Sequence, residues 1–129
     1  MKSTSIRSVG LGLWDAAGRG RAGFILLPDG SPWLNLADAT GNCRAQLTLA
    51  KDGCPGLSLA EAGQGKTHVL LALSEDDSPF LQLLDADGQL RTVVGYTETV
   101  DKRTGAIAEH PESALTLLKE NGEVLWQAP

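Results

Sequence analysis

Residues 60–67 read AEAGQGKT, which satisfies the loose pattern of a phosphate-binding loop: a small residue, four of any kind, then Gly-Lys-Thr. Such a loop works because a helix begins behind it and aims backbone N–H groups and a dipole at the phosphate. Here the next residues, HVLLAL, are short and strand-like, and SEDDSP closes them. An alanine also stands where the first glycine belongs. The stretch predicts a turn between two strands that carries a basic residue, not a nucleotide site.

The other chemistry-bearing residues divide in the same way. Asp85-x-Asp87-Gly88 and Glu75-Asp76-Asp77 hold oxygen ligands, but a calcium loop needs more of them at set spacing. Both runs fall where a turn is expected. Cys43 and Cys54 form no Cys-x-x-Cys pair. Eleven residues of extended chain span roughly 35 Å, far beyond disulfide reach, so two free thiols are expected. His68 lies on a strand between Thr67 and Val69, as polar surface. His110, in AEHPES near Glu109 and Glu112, lies in the one irregular stretch of the chain. No nucleophile elbow and no His-Glu-x-x-His occurs. The sequence assigns no catalytic residue, no cofactor and no metal.

The elements that hold these residues recur. Asp15, Asp38, Glu61 and Asp85 are spaced by 23, 23 and 24 residues. Around them runs a unit Leu-x-Leu-x-Asp-x-x-Gly-x-x-Arg-Ala-x-Leu-x-Leu-x-x-Asp-Gly-x-Pro, in four and a half copies. Each unit has two segments of period-two alternation, which means strands. The first segments give Leu11/Leu13, Leu34/Leu36, Leu57/Leu59, Leu81/Leu83 and Leu115/Leu117. The second give Ala22/Phe24/Leu26, Ala45/Leu47/Leu49, Thr67/Val69/Leu71 and Thr92/Val94/Tyr96. Turns DAAG, DATG and DADG alternate with PDGSP, KDGCP and EDDSP, where proline enters the next strand. The sequence predicts an all-β, antiparallel, up-and-down meander of about ten strands from 23–24-residue hairpin repeats, arranged as a barrel, a curled sheet or an oligomeric sandwich. Residues 1–129 form one domain, with an extended hairpin inserted at about 95–114 and its tip at Asp101–Gly105.

In this alignment Lys66 joins Arg21, Arg44 and Arg91 as one cation per hairpin. A free cationic row suits a polyanion, but the acids beside the same turns predict ordinary pairing. The Leu-x-Leu face is continuous and must be hidden. The opposite face mixes Asn35, Gln46, Thr48 and Ser58 with Trp14, Ile25, Leu27, Trp33, Phe80 and Leu84. With no helix to cover it, a flat sheet has to pair with another. Exposed apolar residues and open edges point the same way, to a homo-oligomer. Trp14, Trp33 and Phe80 on the second face, and Asp101, Lys102, Arg103 and His110 in the insertion, are the candidate interaction residues.

The net charge of −5 argues against nucleic acid as a partner. No apolar run reaches the ~18 residues of a membrane helix, and no secretory leader is seen. Free thiols fit a reducing, cytoplasmic setting.

The repeat, with its closing ENGEVLWQAP, resembles a group of uncharacterised bacterial β-hairpin repeat proteins. Those reiterate Leu-x-Leu-x-Asp-x-x-Gly-x-x-Arg-Ala and often end in a Val-Leu-Trp segment. The likeness covers about residues 9–129, departs at Glu61–Lys66 and in the insertion, and implies no catalytic residue. This chain also lacks the apolar N-terminal anchor of some such proteins. The expected function is a non-enzymatic structural or protein-interaction module; the alternative is a β-barrel that binds a small ligand or glycan.

Overall fold

A computed structural model describes residues 10–95, 97–100, 105, 107–110 and 114–128, with backbone only at 97–100 and 107–110. There is no helix among them. The strands are β1 (Gly10–Trp14), β2 (Gly20–Leu26), β3 (Pro32–Ala37), β4 (Cys43–Leu49), β5 (Pro55–Ala60), β6 (Thr67–Leu73), β7 (Pro79–Leu84), β8 (Leu90–Gly95), β9 (Thr97–Val100), β10 (Ile107–His110), β11 (Leu115–Leu118) and β12 (Val124–Ala128). Ten form one antiparallel sheet in the order β1-β2-β3-β4-β5-β6-β7-β8-β11-β12. The meander is therefore as predicted. The closed barrel is not: β1 and β12 are the two ends of the sheet and do not pair with each other.

Two kinds of turn build the meander. The first follows each Leu-x-Leu strand. Asp38 shows it: its N–H donates to Asn42 O at 2.9 Å, and Gly41 N–H donates back to Asp38 O. Its carboxylate takes the N–H groups of Thr40 and Asn42 at 2.9 and 3.0 Å. A bulge follows the strand's second leucine each time, its extra residue lying on the answering strand: Arg21, Arg44, His68, Arg91 and Leu125. The second kind follows the answering strand and closes in the same way, with Leu27 N–H donating to Ser31 O and Gly30 N–H to Leu27 O; these turns put Gly30, Gly53 and Asp77 at φ of 88°, 90° and 63°. Asp77 is the one described non-glycine residue with positive φ. Pro32, Pro55 and Pro79 then open β3, β5 and β7, where a missing N–H costs no interior ladder bond.

Register extends the two faces across the whole sheet. One carries the row Leu11–Phe24–Leu34–Leu47–Leu57–Leu71–Leu81–Val94–Leu115 and, beside it, Leu13–Ala22–Leu36–Ala45–Leu59–Val69–Leu83–Thr92–Leu117. The other carries Asn35–Gln46–Ser58–Leu70–Gln82–Val93–Thr116. We call these the leucine face and the amide face.

Burial runs opposite to polarity. On β5, Ser58 is 6% exposed while its neighbours Leu57 and Leu59 are 41% and 44% exposed. Leucine is ordinarily the buried type and serine the exposed one. A sheet that curls toward its amide face explains the inversion, because side chains crowd on the concave side and splay on the convex side. The leucine face, expected to be hidden, is open in the single chain.

The inserted segment does not lengthen the large sheet. β9 and β10 form their own two-stranded sheet, with Ile107 opposite Val100 and His110 opposite Thr97. β8 meanwhile pairs directly with β11, Val94 against Leu115 and Thr92 against Leu117.

Candidate functional site

The phosphate-loop pattern resolves as a hairpin turn. Ala60 ends β5 and Thr67 begins β6, so a strand follows where a phosphate site needs a helix. Gly63 and Gly65 sit at φ of 94° and 68°, conformations that glycine adopts without a Cβ clash. The Lys66 ammonium lies 3.4 Å from the carbonyl oxygen of Ala86 on the neighbouring hairpin.

The structure changes the membership of the cation ladder. Arg21 precedes Ala22, which opposes Leu13; Arg44 precedes Ala45, which opposes Leu36; Arg91 precedes Thr92, which opposes Leu83. In the third hairpin Val69 opposes Leu59, so the matching residue is His68, not Lys66. That turn is one residue longer than its counterparts. His68 behaves as a ladder member. Its Nε2 lies 3.4 Å from Glu61 Oε2, as Arg21, Arg44 and Arg91 lie 3.6, 3.7 and 3.4 Å from Asp15, Asp38 and Asp85. Three of the four also reach the next strand: Arg21 Nε to Ala37 O, Arg44 Nε to Ala60 O and His68 Nδ1 to Leu84 O, at 3.0, 2.8 and 3.4 Å. Each ladder member is thus engaged with an acid of its own hairpin, which removes the free cationic row.

The acids are turn builders. Asp15 and Asp85 are held below the ordinary carboxylate range chiefly by the backbone N–H groups of Arg19 and Gln89. Asp38 is held far below it, first by the Thr40 hydroxyl and then by the Asn42 side chain. Asp76 is lowered chiefly by the Ser74 hydroxyl. Hydrogen bonds to the charged form are the common cause. No group of three metal-ligating side chains occurs among the described residues.

The candidate interaction residues are not gathered at one place. Trp14 is 66% exposed on the edge strand β1, and its ring lies over Gly12, where an added Cβ would meet it at 2.4 Å. Trp33 lies on the amide face, its indole N–H donating to Gln46 Oε1 at 3.0 Å. Phe80, also on that face, opposes Ala72 and Gly95. Trp33 and Phe80 are four strands apart, roughly 19 Å. Asp101, Lys102 and Arg103 lie outside the described residues, as does the side chain of His110.

A recess of about 200 Å3 lies beside the Gly63–Gly65 turn, against Cys43, Arg44 and Gln46, and two others bear on the faces. One of about 240 Å3 lies on the amide face, lined by Gln46, Thr48, Ser58, Leu70, Gln82 and Leu84. Sequence reading placed Gln46 and Ser58 on this face but not beside Gln82, which comes from β7. The other, about 320 Å3, lies on the leucine face among Phe24, Pro32, Leu34, Leu47, Leu49 and Pro55. No helix among the described residues is long and apolar enough to cross a membrane.

Comparison with known protein families gives no match, and comparison with curated proteins gives none either. The fold and the site define the chain no further than an open ten-stranded antiparallel meander with one leucine face and one amide face.

Proposed function

We propose that the chain is a non-enzymatic structural module whose leucine face binds a second copy of itself. The observation that carries this is the run of half-exposed leucines across the sheet, from Leu13 at 61% through Leu36 at 51% and Leu47 at 49% to Leu71 at 50%. Ten strands spaced ~4.8 Å apart and about five residues long give a face of roughly 800 Å2. A single monomer patch seldom exceeds ~300–600 Å2, and a stable complex buries ~800 Å2 on each partner. Two such faces stacked ~10 Å apart make a sandwich core. The turns support a scaffold role, since the carboxylates of Asp15, Asp38 and Asp85 are all spent on holding backbone.

Light scattering tests this. The wild-type chain is expected at an even multiple of its monomer mass of 13.6 kDa. The pair Leu47→Glu and Leu57→Glu, which oppose each other on β4 and β5, is expected to keep the fold, lose the face-to-face pairing and halve the mass. A wild-type chain that is monomeric at tens of micromolar overturns the reading.

A second reading concerns the amide face. Its recess presents the side-chain amides of Gln46 and Gln82 and the hydroxyls of Thr48 and Ser58, groups suited to a polyhydroxylated ligand such as a glycan. It requires no closed barrel. Trp33, bonded to Gln46, reports on the site, and unchanged tryptophan fluorescence across a glycan panel removes this reading.

A further inference from the structure

The sheet alternates two strand types along its width. Leu-x-Leu strands are β1, β3, β5, β7 and β11; the strands that answer them are β2, β4, β6, β8 and β12. One edge is therefore the first type and the other edge the second. Neither β1 nor β12 has a second strand neighbour among the described residues. We propose that copies of this chain join head to tail, the outer edge of β12 in one copy accepting β1 of the next, so that the alternation continues across the junction.

The register of that junction can be read from the sheet itself. Where β2 meets β3, Phe24 opposes Leu34, Gly23 opposes Asn35 and Ala22 opposes Leu36. Where β8 meets β11 the pattern is the same: Val94 opposes Leu115, Val93 opposes Thr116 and Thr92 opposes Leu117. Yet no tight turn joins β8 to β11, because the inserted segment intervenes. The register at this kind of junction is thus set by the faces of the two strands and not by the turn, as expected when a one-residue slip would reverse every side chain. On β12, Trp126 and Ala128 oppose Leu117 and Leu115, which makes them equivalent to Ala22 and Phe24 on β2. The rule then places Trp126 against Leu13, Gln127 against Gly12 and Ala128 against Leu11 of the next copy. Both faces continue: Trp126 and Leu13 lengthen a leucine row, while Gln127 and Gly12 lengthen the amide row.

The edges are also built to be used. Monomeric sheets guard an edge with lysine, proline or an inward charge. β1 is GLGLW and β12 is VLWQA, with none of these; a further kind of guard, a bulge, falls at Leu125 of β12, before the Trp126–Ala128 stretch that the junction uses. Among the described residues the four most exposed large apolar side chains all lie on these two strands: Trp14 at 66%, Leu11 and Leu125 at 62%, and Leu13 at 61%. Edge position alone raises exposure, but it does not explain why nature left both edges apolar. A contact between unlike edges is heterologous, so it extends a sheet into a ring or a filament.

The inference is independent of the leucine-face reading, and its test separates the two. In a Cys43→Ser/Cys54→Ser background, one protein carries Leu13→Cys and another Trp126→Cys. Directly opposed residues lie ~4.5–5.5 Å apart between Cα atoms, within disulfide range. Both proteins also carry Leu47→Glu and Leu57→Glu, which removes crosslinks made across stacked leucine faces. Mixed under mild oxidation, they are expected to give the unlike disulfide in excess over both like products, well beyond the two-to-one ratio of random collision. A random ratio, or an excess of either like product, overturns head-to-tail joining. Loss of the unlike product only when the Glu substitutions are added also overturns it, because the contact then belongs to the leucine faces.

Discussion

Arg44 Nε donates to the carbonyl oxygen of Ala60, sixteen residues ahead and on the next strand, at 2.8 Å. The same arginine lies 3.7 Å from Asp38 in its own hairpin. It therefore ties each turn to the one that follows. The pairing of β4 with β5 ends at Ala45 and Leu59, so Ala60 lies just past that ladder; the guanidinium supplies its carbonyl with a partner there. The finding gives the row of cations a structural duty in place of a ligand-binding one.

This duty is separable from charge. Lysine keeps the charge at position 44 but lacks the forked guanidinium. Arg44→Lys is expected to lower stability nearly as much as Arg44→Met, by about 0.5–1 kcal/mol in urea melts. The loss should persist at high salt, which screens the exposed ion pair but not the hydrogen bond. A lysine variant of wild-type stability would contradict this account.

Thr116 is fully buried, and its hydroxyl is the one buried side-chain polar atom without a hydrogen bond among the described residues. Valine has almost the same shape and no hydroxyl. Thr116→Val is expected to raise stability by about 1 kcal/mol, since an unsatisfied buried hydroxyl costs ~1–3 kcal/mol. A melting temperature that falls would show that the hydroxyl has a partner after all.

Gly95 has φ of 103°, and a Cβ there would meet the carbonyl oxygen of Pro79 at 2.2 Å. Gly53 has φ of 90° with nothing within 4 Å of such a Cβ. Both alanine variants incur left-handed strain of ~1–2 kcal/mol. Only Gly95→Ala adds a backbone clash, so it is expected to be the more damaging by at least ~1 kcal/mol. Equal melting temperatures for the two would remove the distinction.

Asp77 occupies the turn position that Gly30 and Gly53 fill elsewhere, at φ of 63°. Asp77→Gly is expected to stabilise by roughly 0.5–1 kcal/mol, aspartate tolerating the left-handed region better than most residues. Thermal melts at neutral pH check it, and a destabilised variant would mean that the Asp77 side chain matters more than its backbone angle.

Acid should loosen the turns. Asp15, Asp29, Asp38, Asp76 and Asp85 all titrate below their ordinary value of 3.8 in the folded chain. A depressed folded pKa contributes stability that is fully present above the unfolded value and is lost as pH falls through the folded one. Melting temperature is therefore expected to hold from neutral pH to about 5 and to fall below about 4. Asp38→Asn should flatten part of that fall. A wild-type profile that stays level to pH 2 would refute it.

Much of this architecture was legible in the chain. Leucines in alternation and the two recurring turn sequences gave strand order, because each acts within a few residues of itself. Three features were not legible. In the third hairpin Lys66-Thr67 mimics Arg91-Thr92 of the fourth, so local pattern points to Lys66; only the pairing of Val69 with Leu59 shows that His68 fills the place. The alternation of leucines predicts a hidden face, since composition does not tell which way a sheet curls. The recess between Gln46 and Gln82 joins β4 to β7, and local pattern carries no record of curvature across strands.

Substantial contact in the large sheet runs between adjoining strands. Its size is then a free parameter. Excising the 23 residues from Leu34 to Gly56 removes one hairpin and brings Trp33 to Leu57, joining like to like. Unequal crossing-over in a tandem coding sequence would do the same, so the width of the assembly is open to inheritance one hairpin at a time.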